Sequence, residues 1–287
     1  MKITNRLGLP QAFVNAVSLE RHNAKGTYSA TTLNKGIKEI VLMDRHWDEI
    51  TVDVADLVWS IWGTAVHSIF EQEKDDNFKE EFFDYKVSDS KVTGRVDSYD
   101  LEKKILYDWK TASTWKVKFN DFSDWRKQGL VYAWLMAKNG LEVKQCRFIA
   151  ILKDHSKSQA LKDKDYPESP TVVYQFDVTP SDLEETEKRI LEKIPEIEKA
   201  EKLPDDEIPP CSKEERWADD DKFAVMKPGR KSAVRVFDAK EDADNCAADL
   251  GAGHYVEHRP AISRKCLNYC QCKDFCNFYR TMKNAEN

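Results

Sequence analysis

The sequence predicts an α/β fold, with a mixed central sheet flanked by helices and a small α+β, cysteine-rich module at the C-terminal end. Three observations lead there. Alternating β-branched and aromatic residues mark strands between stretches of helical periodicity. The 287 residues are 41% apolar and 11% aromatic, enough for a sizeable core. Beyond a turn-rich break at 204–210 the composition changes, and four of the seven cysteines fall between Cys266 and Cys276. These features place one domain at 1–205 and a second at 206–287.

The first 50 residues read as helical pieces around a loop near Lys25-Gly26. From Val54 to Glu71 apolar side chains occupy nearly every face (Val54, Leu57, Trp59, Ile61, Trp62, Val66, Ile69, Phe70), which predicts a buried helix. Strand patterns follow at 81–87, 91–99 and 104–111. Ser123 is the predicted N-cap of a helix running to Lys138 and ended by Gly140. Strands at 145–152 and 171–178 flank a polar loop. Thr179-Pro180-Ser181 opens a long helix, with Ser181 and Glu184 as its capping box. The second domain reads as a strand at 233–237, a helix at 239–250 closed by Gly251, and a strand at 254–258.

The formal charge is −6, which disfavours a generally basic, nucleic-acid-coating protein. The excess is local, however. Between 181 and 209 eleven acidic residues face five basic ones, so that stretch accounts for the whole net charge and the rest is balanced. No apolar run approaches the roughly 20 residues of a membrane span, so no membrane role is expected. The opening residues lack the apolar stretch of a signal peptide, so the expected location is the cytoplasm, or the host cytoplasm for a viral protein. An odd number of cysteines in such a chain points to metal binding rather than to disulfides.

The stretch from Gly94 to Thr111 carries the densest chemistry. It reads as a hairpin turning at Glu102-Lys103, in which paired positions sum to 205. Asp97 then lies across from Asp108, with Cβ atoms roughly 5 Å apart, and Lys110 shares the Asp108 face. Adjacent carboxylates repel unless a cation or a proton joins them. A hard divalent ion such as Mg²⁺ or Mn²⁺ takes oxygen ligands of this kind and can activate water for phosphodiester hydrolysis. Asp108 sits among Ile105, Leu106, Tyr107 and Trp109, a central-strand pattern in which an unpaired charge is costly. Two further pairs lie four residues apart on helices: His67 with Glu71, and Gln128 with Tyr132.

In this order, the segments Gly63 to Glu71, Gly94-Arg95-Val96-Asp97, Asp108-Trp109-Lys110-Thr111 and Gln128 to Tyr132 resemble the PD-(D/E)xK (restriction-endonuclease-like) nuclease superfamily. Within it the chain is similar to the RecB-like nucleases, including CRISPR-associated and bacteriophage exonucleases. The resemblance spans roughly 28–178. It implies that His67, Asp97 and Asp108 hold the metal, with the Trp109 carbonyl as an extra ligand. It also implies that Lys110 is the catalytic lysine, that Glu71 supports the site, and that Gln128 and Tyr132 help to place DNA and the lysine. The third motif carries Asp108 where Glu is commoner in the family.

Cys266, Cys270 and Cys276, with Cys272 among them and Cys211 upstream, form a thiolate array suited to zinc or to an iron–sulfur cluster. The wide spacing resembles the tail of RecB-like nucleases that carry a [4Fe–4S] cluster. In those a cysteine ahead of the core supplies the fourth ligand. None precedes the core here, so Cys211 is the candidate fourth ligand and Cys272 its competitor, and structural Zn²⁺ remains the alternative. Cys146 and Cys246 read as structural. Lys116, Lys118, Trp115, Trp125, Arg126 and Lys127 are candidate contacts to phosphates and bases. The basic run 227–231 reads as a solvated loop.

The expected function is therefore metal-dependent DNA hydrolysis by an exonuclease in recombination, repair or phage DNA processing. Its expected partners are DNA, a helicase or recombination protein, or a second copy of the chain. No G-x-x-x-x-G-K-[ST] run is present, so an unwinding motor would be a separate chain. The rival readings are a catalytically silent DNA-binding or adaptor subunit, and a cysteine–metal scaffold that recruits a partner.

Overall fold

The computed structural model describes residues 1–17 and 24–285, and divides them into two units, Met1–Leu203 and Pro204–Asn287. In chain order the first unit contains β1 (Lys2–Thr4), α1 (Gln11–Ala16), β2 (Thr27–Ser29), α2 (Ile37–Arg45), β3 (Thr51–Asp53), α3 (Val58–Gln72), β4 (Phe78–Val87), β5 (Ser90–Asp100), β6 (Ile105–Ala112), α4 (Thr114–Lys118), α5 (Ser123–Lys138), β7 (Gln145–Leu152), α6 (Lys157–Ala160), β8 (Thr171–Asp177) and α7 (Pro180–Ala200). No described helix is long and apolar enough to cross a membrane.

The alternating segments pair into a six-stranded mixed sheet. β4, β5 and β6 form an antiparallel meander, β7 joins β6 in parallel, and β8 closes that edge antiparallel. β5 is the hub. Its first residues pair in parallel with β2, at Thr27↔Lys91 to Ser29↔Thr93. Its last pair with β6, at Ser98↔Tyr107, Tyr99↔Leu106 and Asp100↔Ile105. Each of these last pairs sums to 205, the register read from the sequence. The turn is wider than two residues, however. It spans 101–104, with Lys104 at φ +58° and the Asp100 carboxylate accepting from the Lys103 amide at 2.8 Å. Between the two paired ends, residues 94–97 of β5 have no partner on that side, and the candidate site occupies the gap.

α5 is buried along most of its length, from Trp125 to Met136, and packs against the sheet. Its close approach depends on small residues. A side-chain carbon on Gly129 would lie 3.0 Å from the Phe148 ring. α7 covers α5 with a stripe of Thr186, Ile190, Ile194 and Ile197, the i, i+4 and i+3 spacing of one helix face, and turns its charged residues outward.

Several expectations from the sequence change. α3 is not buried. Val66 is its one buried residue, while Trp59 and Trp62 are 57% and 48% exposed. The cap of α7 is Thr179, whose hydroxyl and backbone N–H trade hydrogen bonds with Asp182, so the box begins two residues before Ser181. Ser123 is the first residue of α5 and makes no capping bond. The short strands β1 and β2 fall within the segment read as helical pieces, and β3 follows directly after it.

The second unit contains β9 (Lys222–Met226), β10 (Arg235–Phe237), α8 (Lys240–Asp249), β11 (Tyr255–Arg259), α9 (Arg264–Asn268) and α10 (Asn277–Ala285). β9 is central to an antiparallel sheet in the order β10-β9-β11, with α8 packed on it through the buried Ala243. The sequence reading passed over β9. The basic run 227–231 forms the exposed β9–β10 loop, turning at Gly229 with φ +82°.

Candidate metal centre

Asp97 lies in the unpaired part of β5. Register would place it opposite Asp108, but the ladder stops one pair short. In place of the next backbone bond, the Trp109 N–H donates to Asp97 Oδ2 at 2.7 Å. This turns the other oxygen, Oδ1, toward α3, where His67 Nδ1 stands 3.3 Å away. The Asp97 contact raises the His67 pKa above its usual value, against the opposing effect of burial.

A third candidate ligand is a residue that the sequence reading missed. Glu80 lies on β4, where the pairs Lys79↔Ser98 and Glu81↔Val96 place it across from Asp97. It has φ +52°, a left-handed conformation unfavourable for a glutamate, and it drops out of the ladder. Lys79 beside it ties the strand to the end of α3, donating to the carbonyls of Phe70, at 3.3 Å, and Glu73. His67, Glu80 and Asp97 offer ligand atoms that all lie within 4.8 Å of one another, a spacing that suits one cation. Burial first, then Asp97 and Glu71, push the Glu80 carboxyl pKa up. No periodicity announces this residue: it lies one position before the strand read at 81–87, and between Lys79 and Glu81 it looks like surface charge. Glu71 itself is exposed at the end of α3, and it is Glu80 that reaches His67 and Asp97.

Asp108 is 2% exposed in the middle of β6, and Lys110 Nζ lies 2.6 Å from its Oδ2. Burial raises the Asp108 pKa to about 6, opposed mainly by the Lys110 ammonium, while Asp97 raises it further. Lys110 also stands 5.6 Å over the Phe148 ring, with a fifth of its side chain exposed. On α5 the Gln128 amide donates to Tyr132 Oη at 2.9 Å. The phenol is buried, and that burial together with nearby Asp108 pushes its pKa up. Gly94 makes this approach possible: a side-chain carbon there would lie 2.8–2.9 Å from the Tyr132 ring and from Leu135.

The structure thus brings His67, Asp97 and Glu80 together, sets the Asp108–Lys110 pair electrostatically beside them, and backs them with Gln128 and Tyr132. Three carboxylates and an imidazole meet here, with two of the carboxyl pKa values raised. A dication relieves this repulsion, and the oxygen-rich donor set fits Mg²⁺ or Mn²⁺.

The other candidate nucleic-acid contacts divide. Trp125 is 5% exposed and stacks on Phe148 at 5.7 Å, and Arg126 pairs with Asp182 at 2.6 Å, so both serve the core and its α7 cover. Lys116 pairs with Asp124 at 2.7 Å. Trp115 is 58% exposed.

In the second unit no disulfide joins the described cysteines. Cys266, Cys270 and Cys276 are electrostatic neighbours, and the Cys266 thiol is pushed up to about 11 by burial and then by the other two. Cys270 Sγ lies 3.6 Å from the Sγ of Cys272, which is 1% exposed. Cys211 is half-buried. Cys146 lies in β7 with its thiol buried, and Cys246 lies on α8.

No protein-family model and no curated protein matches the chain. Among solved structures it is similar to SSO0001, at 15% identity and a TM-score of 0.42, over 63% of this chain and 82% of that one. It is similar to a phage-related exonuclease from Haemophilus somnus 129PT, at 12% identity and 0.37, over 58% and 92%. It is also similar to the alkaline exonuclease LHK-Exo from Laribacter hongkongensis, at 11% and 0.38, over 66% and 92%.

Proposed function

We propose that the chain is a divalent-cation-dependent nuclease that hydrolyses phosphodiester bonds in DNA. The observation that carries this reading is the convergence of His67, Glu80 and Asp97 on one cation-sized space beside the buried Asp108–Lys110 pair. His67, Glu80 and Asp97 would hold Mg²⁺ or Mn²⁺, with Asp108 and the Trp109 carbonyl completing the ligand set that the motif resemblance implies. Such an ion supplies charge that stabilises a phosphoryl oxygen and lowers the pKa of a water. The chain's own groups do the rest. Lys110 favours the charged form of Asp108 against the effect of burial and keeps its ammonium beside that carboxylate, where it can orient the nucleophile or the scissile phosphate. Gln128 and Tyr132 fix the wall behind the carboxylates.

Within this reading the chain is an exonuclease in recombination, repair or phage DNA processing, acting in the cytoplasm, alone or with a helicase or recombination partner. Its domains are 1–205 and 206–287. Cys211, Cys266, Cys270 and Cys276 would hold a [4Fe–4S] cluster or a structural Zn²⁺, with Cys272 as the competitor of Cys211. Thiolates at Cys266, Cys270 and Cys276 would repel one another and a metal would remove that repulsion, although no three cysteine sulfurs among the described residues lie within one ion's reach of one another.

The decisive experiment is degradation of end-labelled DNA with Mg²⁺, Mn²⁺ or EDTA, using the wild type, Asp108→Ala and Lys110→Ala. Cation-dependent degradation lost in both variants is expected. Full activity in either variant, or in EDTA, overturns the assignment.

A further inference from the structure

The aromatic face of α3 stays open to solvent, and so does that of α4. Trp59 and Trp62 are 57% and 48% exposed, Trp115 is 58% and Phe119 70%. Single exposed aromatics are ordinary, but four on adjoining elements mark a binding surface. They adjoin through residues 153 and 154. Lys153 Nζ stands 4.1 Å over the Trp59 ring, and its backbone N–H donates to the Ala112 carbonyl at the end of β6. Asp154 accepts from Ser113 Oγ at 2.8 Å and from the Thr114 N–H at 2.7 Å, which fixes the start of α4 and with it Trp115. Trp115 stacks on Phe119 with ring centres 5.7 Å apart, and Lys118 Nζ lies 5.7 Å over Trp115. Beside Trp115 runs a groove of about 300 Å³ lined by Lys118, Gln159, Lys162 and Tyr166, among others.

The same two elements lead to the candidate metal centre. α3 carries His67 eight residues after Trp59, and β6 carries Asp108 and Lys110 just ahead of α4. We propose that this corner binds an unpaired nucleic-acid strand, whose bases stack on Trp115 and Trp59 as the strand leads to or from the metal centre. Its orientation toward that centre rests on the nuclease reading. The chemistry selects the ligand. Bases offer their π-faces to a tryptophan only when they are unpaired, whereas a duplex hides them and presents phosphates. The ammonium groups of Lys153 and Lys162 suit a polyanion running past the rings, and a phosphate would compete with Asp163, 2.9 Å away, for that of Lys118, whereas an apolar protein surface would strip these groups of water without return.

The test is fluorescence-anisotropy binding of a labelled single-stranded oligothymidylate and of a duplex of equal length, in EDTA, with the full chain. Trp115→Ala and Trp59→Ala are each expected to weaken single-strand binding roughly five- to a hundred-fold, the worth of one lost stack, with a much smaller change for the duplex. Trp115→Phe, which keeps a π-face, is expected to recover most of the affinity. Unchanged single-strand affinity in both Ala variants overturns the proposal, as does an equal loss for single strand and duplex. The two readings fail separately. A protein that degrades DNA but ignores these substitutions removes this surface alone; one that binds single strands through Trp115 but cleaves nothing removes only the nuclease assignment.

Discussion

Lys110 Nζ lies 2.6 Å from Asp108 Oδ2, and that carboxylate is 2% exposed. The pair is a structural liability as well as a candidate catalytic unit, because burial favours the protonated acid while the ammonium favours the carboxylate.

Stability in the absence of metal therefore depends on pH. Asp108 titrates at about 6 in the fold against 3.8 for the free side chain. A raised acid pKa adds stability below about 3.8 that is lost as pH rises through about 6. In EDTA, Asp108→Asn is expected to be more stable than the wild type at pH 8, by about 2–3 kcal/mol, and nearly equal to it below pH 4. Urea denaturation at the two pH values checks this; a wild type that is the more stable at pH 8 would sink it.

Cation binding follows the opposite course. His67 has a raised pKa through Asp97, and Asp108 through burial, so both hold protons that an arriving dication must displace. Mn²⁺ affinity, read by calorimetry, is expected to fall about tenfold or more from pH 7.5 to pH 5.5. Glu80→Gln is expected to weaken Mn²⁺ binding at pH 7.5 by a similar factor while leaving the fold intact by circular dichroism. Unaltered affinity in that variant excludes Glu80 as a ligand.

Gly94 is a packing requirement of the site. An added methyl would press into Tyr132 and Leu135, which are themselves buried. Gly94→Ala is expected to cost about 1–3 kcal/mol by overpacking and to lower activity by displacing Asp97, three residues on. Tyr132→Phe, which strips one partner from the buried Gln128, is expected to cost about 1–2 kcal/mol. Thermal melts of both variants decide the matter.

The cysteine array makes a prediction that needs no assay. Protein purified without oxygen is expected to carry iron and sulfide, or zinc, in fixed ratio to chain, and the iron form to absorb near ~400 nm. Cys266→Ser is expected to lose the metal. Comparing Cys211→Ser with Cys272→Ser by metal analysis identifies the fourth ligand, and retention of full metal in all three variants would refute the site.

Much of this site was legible in the sequence because it depends on local order. The hairpin register follows from two apolar strands about one turn, and it brings Asp97 toward Asp108 whatever the rest of the chain does. Helix α5 and strand β7 run over the residues their periodicity marks. What escaped depends on tertiary context. An all-apolar helix reads as buried, yet α3 keeps Trp59 and Trp62 in solvent, because hydropathy gives the composition of a face and not what covers it. β2 exists only as a parallel partner of a strand more than 60 residues away. Glu80 comes within reach of His67 and Asp97 only through a backbone twist that no side-chain pattern encodes.

That twist bears on how the chain would respond to selection. A glutamate held at φ +52° costs roughly 1–2 kcal/mol that glycine or asparagine would largely avoid. A library sorted for thermal endurance alone is therefore expected to drift at position 80 toward Gly or Asn. A library sorted for DNA degradation is expected to hold Glu there, so the divergence between the two populations reports how far this one strained residue is kept for chemistry rather than for architecture.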